Sequence, residues 1–179
     1  EIPLRLVGSE MCIRDSFIPF PITGRNGKSL ADHFGANSEN NFQMTDPHTL
    51  WGIHVRDMPN FYMMIGPQSL NPVTNVTLLC EEQSKYISNL VKRMKEQSLT
   101  EVEPTAEAVD RWSERCTETA EGKVWLKCNN WYTKSTKTDE QAGRQRARLM
   151  WMESYEDYLQ HLLGEEGGTA DDLLEFSGG

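Results

Sequence analysis

An unbroken apolar run, Phe61–Ile65, is the strongest local pattern in the chain. It follows Asn60, and Gly66 and Pro67 come directly after it. Such a run predicts a β-strand buried on both faces, and the glycine and proline predict a turn that leads into a helix. Because ligands of open α/β sheets bind beyond the carboxyl ends of such strands, we expect a cofactor pocket at this turn. A strand that only fills the core is the simpler alternative.

Apolar residues at helical spacing predict three helices, which begin near Asn75, Thr105 and Ser154. An acidic residue three positions after Ser154 gives the spacing of a capping box. Gly122 and Gly164 are expected to end the second and third helices. The buried face of the first helix is expected to comprise Leu79, Tyr86, Ile87, Leu90, Val91 and Met94. That of the second is expected to comprise Val109, Trp112, Cys116 and Ala120.

The segments between these elements give weaker signals. Asn26-Gly27 favours a type I′ turn, so Thr23–Lys28 is expected to be a hairpin. Lys123–Asp139 mixes aromatic residues with lysines and threonines, and is expected to be a loop with exposed aromatic anchors. Leu149–Met152 is expected to be a short strand. We expect the helices to pack against a sheet, which makes the fold class α/β.

The chain divides into three regions. Residues 1–16 show no cap or periodicity, resemble translated adapter sequence, and are expected to be a non-native segment. Residues 17–163 carry all the predicted elements and form the expected domain. Residues 164–179 mix acidic residues with glycines, and we expect a flexible tail.

Composition limits the possible partners. The 179 residues carry a net charge of -9, which argues against a nucleic-acid surface. No apolar run approaches the ~18 residues that span a membrane, so no membrane partner is expected. The cysteines and the four histidines show no metal-ligand spacing, and we assign no metal site and no catalytic residue. Reduced thiols and hence a cytoplasmic location are expected. The cysteines are Cys12, Cys80, Cys116 and Cys128.

Several motifs occur in an order that is similar to one enzyme family. They are Arg25-Asn26-Gly27, Trp51-Gly52-Ile53-His54, Met58–Pro67, Thr74-Asn75, Glu81, Trp112 and Asn130-Trp131. Over roughly residues 18–163 this order resembles the C-terminal part of the Baeyer–Villiger monooxygenases, a flavoenzyme family that includes cyclohexanone and cyclopentadecanone monooxygenases. The chain looks closest to the branch that acts on cyclic and macrocyclic ketones.

The resemblance implies a fold, a reaction and a site. In this family two dinucleotide-binding domains hold FAD and NADPH, and the last third of the chain completes the FAD domain. The reaction uses O2 to convert a small-molecule ketone into an ester or lactone. By the same resemblance, Gly66, Pro67, Asn75 and Val76 are expected to lie beside the flavin. Trp131 is expected to lie by the nicotinamide cofactor, with a packed surface aromatic as its alternative.

The sequence also departs from the family pattern. It contains no GxGxxG phosphate-binding motif, and the family fingerprint and essential arginine are absent. We therefore expect the chain, as a C-terminal fragment of an FAD- and NADPH-dependent enzyme, to be inactive by itself. Gln68 stands where the family often has an asparagine.

Two other functions remain open from the sequence. The first is a stand-alone acidic helical module that binds a protein partner through Trp112, Trp125 and Trp131. The second is a flavin monooxygenase of related architecture that oxidises nitrogen or sulfur. Protein partners, the particular ketone and the oligomeric state do not follow from the residues.

Overall fold

A computed structural model describes residues 21–35, 46–69, 74–123, 150–164 and 170–178. The helices are α1 (Leu30–His33), α2 (Val76–Glu96), α3 (Ala106–Ala120), α4 (Tyr155–Leu162) and α5 (Ala170–Leu173). The strands are β1 (Glu101–Pro104) and β2 (Leu174–Ser177), and a 3-10 turn covers Arg25–Gly27. Within the described ranges, none of the helices has the length and apolar character that crossing a membrane requires.

Helix α2 confirms the first predicted helix. The Asn75 side chain accepts a hydrogen bond from the Thr77 amide at 2.9 Å and so caps the helix. The buried face differs from the prediction at Val91, which is 48% exposed. Successive residues of an α-helix are rotated by about 100° around its axis. Leu90 faces the core, so Val91, the next residue, faces the solvent. A polar residue, Gln83, is instead fully buried in this face.

Helices α3 and α4 confirm the other two predictions. At the start of α3 the Thr105 hydroxyl accepts a hydrogen bond from the Ala108 amide at 3.1 Å and so caps the helix. Ser154 and Asp157 form a capping box at α4, in which each backbone amide donates to the other side chain, at 3.2 and 3.1 Å. Gly122 and Gly164 follow the two helices with φ of 74° and 78°, a left-handed conformation that glycine adopts readily.

Aromatic contacts join α3 to α4 in the core. The Trp112 ring stacks on Trp151, with centroids 4.8 Å apart and planes 10° apart, and Tyr158 lies edge-on at 6.1 Å. The predicted strand at Leu149–Met152 is wrong for its described residues, which form an irregular segment with buried side chains. The buried face of α3 is the predicted one, namely Val109, Trp112, Cys116 and Ala120.

The predicted strand at Phe61–Ile65 is wrong. Asn60 and Ile65 adopt left-handed conformations, with φ of 59° and 55°, and these conformations interrupt an extended chain. The Met63 amide donates to the Ile53 carbonyl at 2.8 Å, but no ladder forms. The apolar run therefore packs as an irregular segment that is only partly buried.

The described part of the tail also differs from the prediction. Residues 170–177 form α5 and β2, and β2 pairs with β1 in antiparallel register, with Val102 opposite Phe176 and Pro104 opposite Leu174. The Arg93 guanidinium lies 4.9 Å from the centroid of the Phe176 ring. Four residues of alternating apolar and polar type are too short to stand out as a strand in the sequence.

The hairpin near the start of the described chain is confirmed. Asn26 and Gly27 have φ of 59° and 75°, as the two central positions of a type I′ turn require. The Lys28 amide donates to the Arg25 carbonyl at 3.3 Å and closes the turn.

Replacing the cap of α4 tests this description of the fold. Ser154→Ala removes an acceptor for a helix-end amide, and we expect it to lower the free energy of unfolding by about 1 kcal/mol in urea titrations. The matched control is Ser84→Ala, which removes an exposed hydroxyl within α2. A change within about 0.5 kcal/mol is expected for the control. Equal effects of the two substitutions would contradict the capping role.

Candidate functional site

Two glycines bring the Gly66–Ser69 turn into backbone contact with the Trp51–His54 turn. A Cβ atom on Gly66 would lie 2.3 Å from the Gly52 carbonyl oxygen. A Cβ atom on Gly52, whose φ is 67°, would lie 2.7 Å from the Pro67 carbonyl oxygen and 2.5 Å from the Ser69 Cβ. Neither position has room for a side chain. We call this approach the glycine contact.

The Gln68 side chain fixes the Gly66–Ser69 turn from one side. Its Oε1 accepts hydrogen bonds from the Thr49 amide at 2.9 Å and from the Thr49 hydroxyl at 2.7 Å. Its Nε2 donates to the Ser113 hydroxyl on α3 at 3.1 Å. The Gly52 amide donates to the same Thr49 hydroxyl at 3.1 Å. Both turns of the glycine contact are thus attached to Thr49.

The Gln83 side chain holds the entry to the turn from the other side. Its Oε1 accepts from the Ile65 amide at 2.8 Å, and its Nε2 donates to the Tyr158 hydroxyl at 2.8 Å. That hydroxyl donates to the Trp51 carbonyl at 2.7 Å. Burial raises the pKa of Tyr158 above its usual range, so the hydroxyl remains a neutral donor. Helices α2 and α4 are joined to both turns by this chain of hydrogen bonds.

A buried histidine lies next to this network. His54 Nε2 is 2.9 Å from the Tyr86 hydroxyl, and the His54 ring lies edge-on to Tyr62 and Trp51. Burial lowers the pKa of His54 to about 3. The imidazole is therefore neutral at physiological pH, and its surroundings give it a packing role.

The predicted cofactor residues divide into buried and exposed positions. Gly66 and Pro67 are buried in the turn, so they can offer only their backbone and shape. Asn75 and Val76 lie exposed at the beginning of α2, and no acidic side chain lies in the first turn of that helix. The Ile65–Gln83 hydrogen bond attaches the segment before the turn to the same helix. Trp131 lies outside the described residues.

Sequence reasoning did not identify the polar residues that hold the turn. Thr49, Gln83 and Ser113 belong to no motif, and the one available signal is the position of Gln83 within an apolar helical stripe. Trp112, proposed as an exposed anchor of an interaction module, is buried against Trp151 and is not available at the surface. Trp125, another of those anchors, lies outside the described residues.

Comparisons with known proteins identify proteins that the chain resembles over part of their length. No protein-family model matches the chain. A Baeyer–Villiger monooxygenase from Pseudooceanicola batsensis is 27% identical over 157 residues, which are 87% of this chain and 26% of that protein. An FAD-binding monooxygenase from Emericella nidulans is 30% identical over 135 residues, which are 72% of this chain and 21% of that protein. The crystal structure of cyclohexanone monooxygenase from Rhodococcus sp. Phi1 superimposes with a TM-score of 0.73 and 24% identity, covering 93% of this chain and 28% of that one.

The fold is that of part of a flavin monooxygenase with two dinucleotide-binding domains. The chain is related to the Baeyer–Villiger monooxygenases, the family that its motif order predicts. It spans between 21% and 28% of the length of these three matched proteins.

The glycine contact can be tested with a matched pair of glycines. Gly27 has a φ of 75°, and no atom lies within 4 Å of the place that a Cβ would occupy. Gly27→Ala should therefore lower the free energy of unfolding only by the about 1–2 kcal/mol that a left-handed conformation costs an alanine. Gly52→Ala adds steric overlap with the turn, and we expect a loss of roughly 2–5 kcal/mol in urea titrations. Equal losses would contradict a close contact at Gly52.

His54 predicts a pH dependence of stability. Its pKa is near 6.5 when exposed and about 3 in the folded chain, so only the unfolded chain takes up a proton between these values. The contribution is fully present above pH 6.5 and is lost as the pH falls toward 3. We expect the unfolding free energy, measured in urea, to fall in this range as the pH is lowered. The slope should be steeper by roughly 1.4 kcal/mol per pH unit than the slope for the His54→Gln variant. Parallel curves would contradict the buried neutral histidine.

Proposed function

We propose that the chain supplies part of the FAD-binding region of a Baeyer–Villiger monooxygenase. The intact enzyme uses NADPH, FAD and O2 to insert one oxygen atom into a ketone and so produce an ester or lactone. The observation that carries the proposal is the glycine contact, whose turn is attached through Ile65 and Gln83 to the capped helix α2, in a chain related to this family. Relatives named for cyclohexanone and for acetone support a ketone as the substrate class.

The residues around the turn fit a flavin. The isoalloxazine ring has flat apolar faces and a polar edge, and the exposed apolar side chains here are Met64 (43%), Val76 (47%) and Leu78 (46%). The beginning of α2 has no acidic residue in its first turn, so the positive end of the helix dipole is not opposed by a side chain. Val76 and Leu78 lie in the first turn of this helix, so exposed apolar side chains and an unopposed helix end occur together, which suits this kind of ring.

Each candidate residue has a distinct role in the proposal. The cofactor, when bound, supplies the oxygen-transfer chemistry, and the protein binds and orients it. Gly66 and Pro67 form a wall through the backbone of their buried turn, Val76 packs against a ring face, and Asn75 keeps the first turn of α2 in place.

Support for NADPH as the second cofactor comes only from similar proteins. One matched solved structure is bound to NADP+, and another is a complex with FAD and NADP. We propose that Trp131 lies by the nicotinamide, as the family resemblance implies. The free thiols of Cys80 and Cys116 support a cytoplasmic location.

A segment exchange tests the proposed function. Residues 21–178 replace the matching part of the Rhodococcus cyclohexanone monooxygenase, and we expect a yellow, FAD-loaded chimera that oxidises NADPH and forms a lactone, measured by gas chromatography. A chimera with Gly27→Ala should behave alike, because that position is open to solvent. A folded chimera without FAD would contradict the proposal.

The same chimera distinguishes a ketone-oxidising enzyme from a monooxygenase that oxidises nitrogen or sulfur. Supplied with a cyclic ketone, an amine and a sulfide, it should convert the ketone in preference to the others. Preferential formation of an N-oxide or sulfoxide would favour the nitrogen- or sulfur-oxidising monooxygenase.

A further inference from the structure

We propose that Gln68 and Gln83 are positioning residues for FAD, which act by clamping the Gly66–Ser69 turn to α2 and α3. The inference rests on the proposed function, because it takes the turn as one wall of the flavin pocket. Neither glutamine is placed in contact with the cofactor. We refer to the two side chains and their hydrogen bonds as the amide clamp.

Gln68 meets requirements that few other side chains satisfy. It is fully buried, and its amide accepts two hydrogen bonds from Thr49 while donating one to Ser113. Its φ of 70° is a left-handed conformation that a side chain adopts at a cost, and these hydrogen bonds offset that cost. Asparagine is one methylene shorter, so its amide would not reach as far toward the same partners.

Gln83 connects the turn to the helix that carries the exposed candidate residues. The side chain is fully buried and bonds the Ile65 amide, which directly precedes Gly66. Gln83 lies seven positions after Val76 in α2, about 10 Å along the helix axis. A shift of the turn relative to α2 would break the Ile65–Gln83 hydrogen bond. The clamp thus fixes the distance between the two proposed walls of the pocket.

The geometry gives this clamp a part in binding as well as in folding. Gly66 and Pro67 offer no polar side-chain atoms, so any affinity that they provide depends on where their backbone stands. Buried hydrogen-bond networks that are fully satisfied hold one arrangement, whereas partly satisfied networks permit several. Losing the clamp should therefore weaken FAD binding more than an equal loss of stability elsewhere.

The test uses the chimera that carries residues 21–178, with the near-isosteric substitutions Gln68→Met and Gln83→Met. The matched control is Val102→Ala, which removes buried volume from β1 and leaves the hydrogen-bond partners of both glutamines in place. Urea unfolding gives stability, and quenching of flavin fluorescence gives FAD affinity. We expect all three variants to be destabilised, and only the two glutamine variants to bind FAD at least about tenfold more weakly.

A second measurement does not depend on the cofactor. Hydrogen exchange followed by NMR should accelerate at the Thr49 amide in Gln68→Met and at the Ile65 amide in Gln83→Met, beyond any global change, and not in Val102→Ala. If Gln68→Met does not fold, Ser113→Ala should show the same pattern to a smaller extent. This substitution removes the acceptor of the Gln68 Nε2 group, together with the 3.5 Å contact of the same hydroxyl with His48 Nδ1.

The outcomes separate the two proposals. Absence of FAD from the folded chimera without these substitutions would contradict the proposed function, and the exchange data would then decide the clamp alone. FAD binding that weakens in all variants in proportion to stability would overturn the positioning role. Unchanged exchange at Thr49 and Ile65 would overturn the clamp itself.

Discussion

The structure depends on the contact between Gly52 and Gly66. Two turns meet there at a separation that excludes any side chain, and each turn carries groups that the rest of the core then holds. On one side lies the Trp51–His54 turn with its aromatic surroundings, and on the other lies the turn that faces the proposed cofactor. A contact of this kind transmits the position of one backbone segment directly to another, because no flexible side chain lies between them.

Buried polar groups surround this contact, and they join the helices that are distant in sequence. Gln68 reaches α3 through Ser113, and Gln83 links α2 to the Tyr158 hydroxyl of α4. Each bond is made within a water-excluded region, where an unpaired group would cost more than it does at the surface. Aromatic stacking of Trp112 on Trp151 completes the same region from the other side. The pocket wall that we propose is therefore supported by every long helix that the structure describes.

Local signals in the sequence predicted the three longer helices, α2, α3 and α4, and missed the four-residue helices α1 and α5. The Asn75 and Thr105 caps and the Ser154 capping box are recognisable because the residues that make these hydrogen bonds lie within three positions of one another. The Phe61–Ile65 prediction failed for the opposite reason. An apolar run does not reveal left-handed residues at its ends, and a ladder needs a partner strand that a local pattern cannot specify.

The candidate site shows the same division. Gly66 and Pro67 stand out in the sequence as a turn, and the family resemblance marks them as important, but the reason for Gly66 is its contact with Gly52, fourteen positions earlier. Gln83 looks like one more polar residue of a surface helix until its partners at Ile65 and Tyr158 are known. Long-range pairing of buried amides leaves no mark in a single sequence.

Photoaffinity labelling tests the central claim most directly. The chimera that carries residues 21–178 is irradiated with an FAD analogue that carries an azide on its flavin ring, and the labelled peptides are mapped by mass spectrometry. The account predicts labelling within residues 64–78 that excess FAD abolishes. Labelling confined to peptides outside this segment, with the same competition by FAD, would contradict the claim that the Gly66 turn and the beginning of α2 form a wall of the flavin pocket.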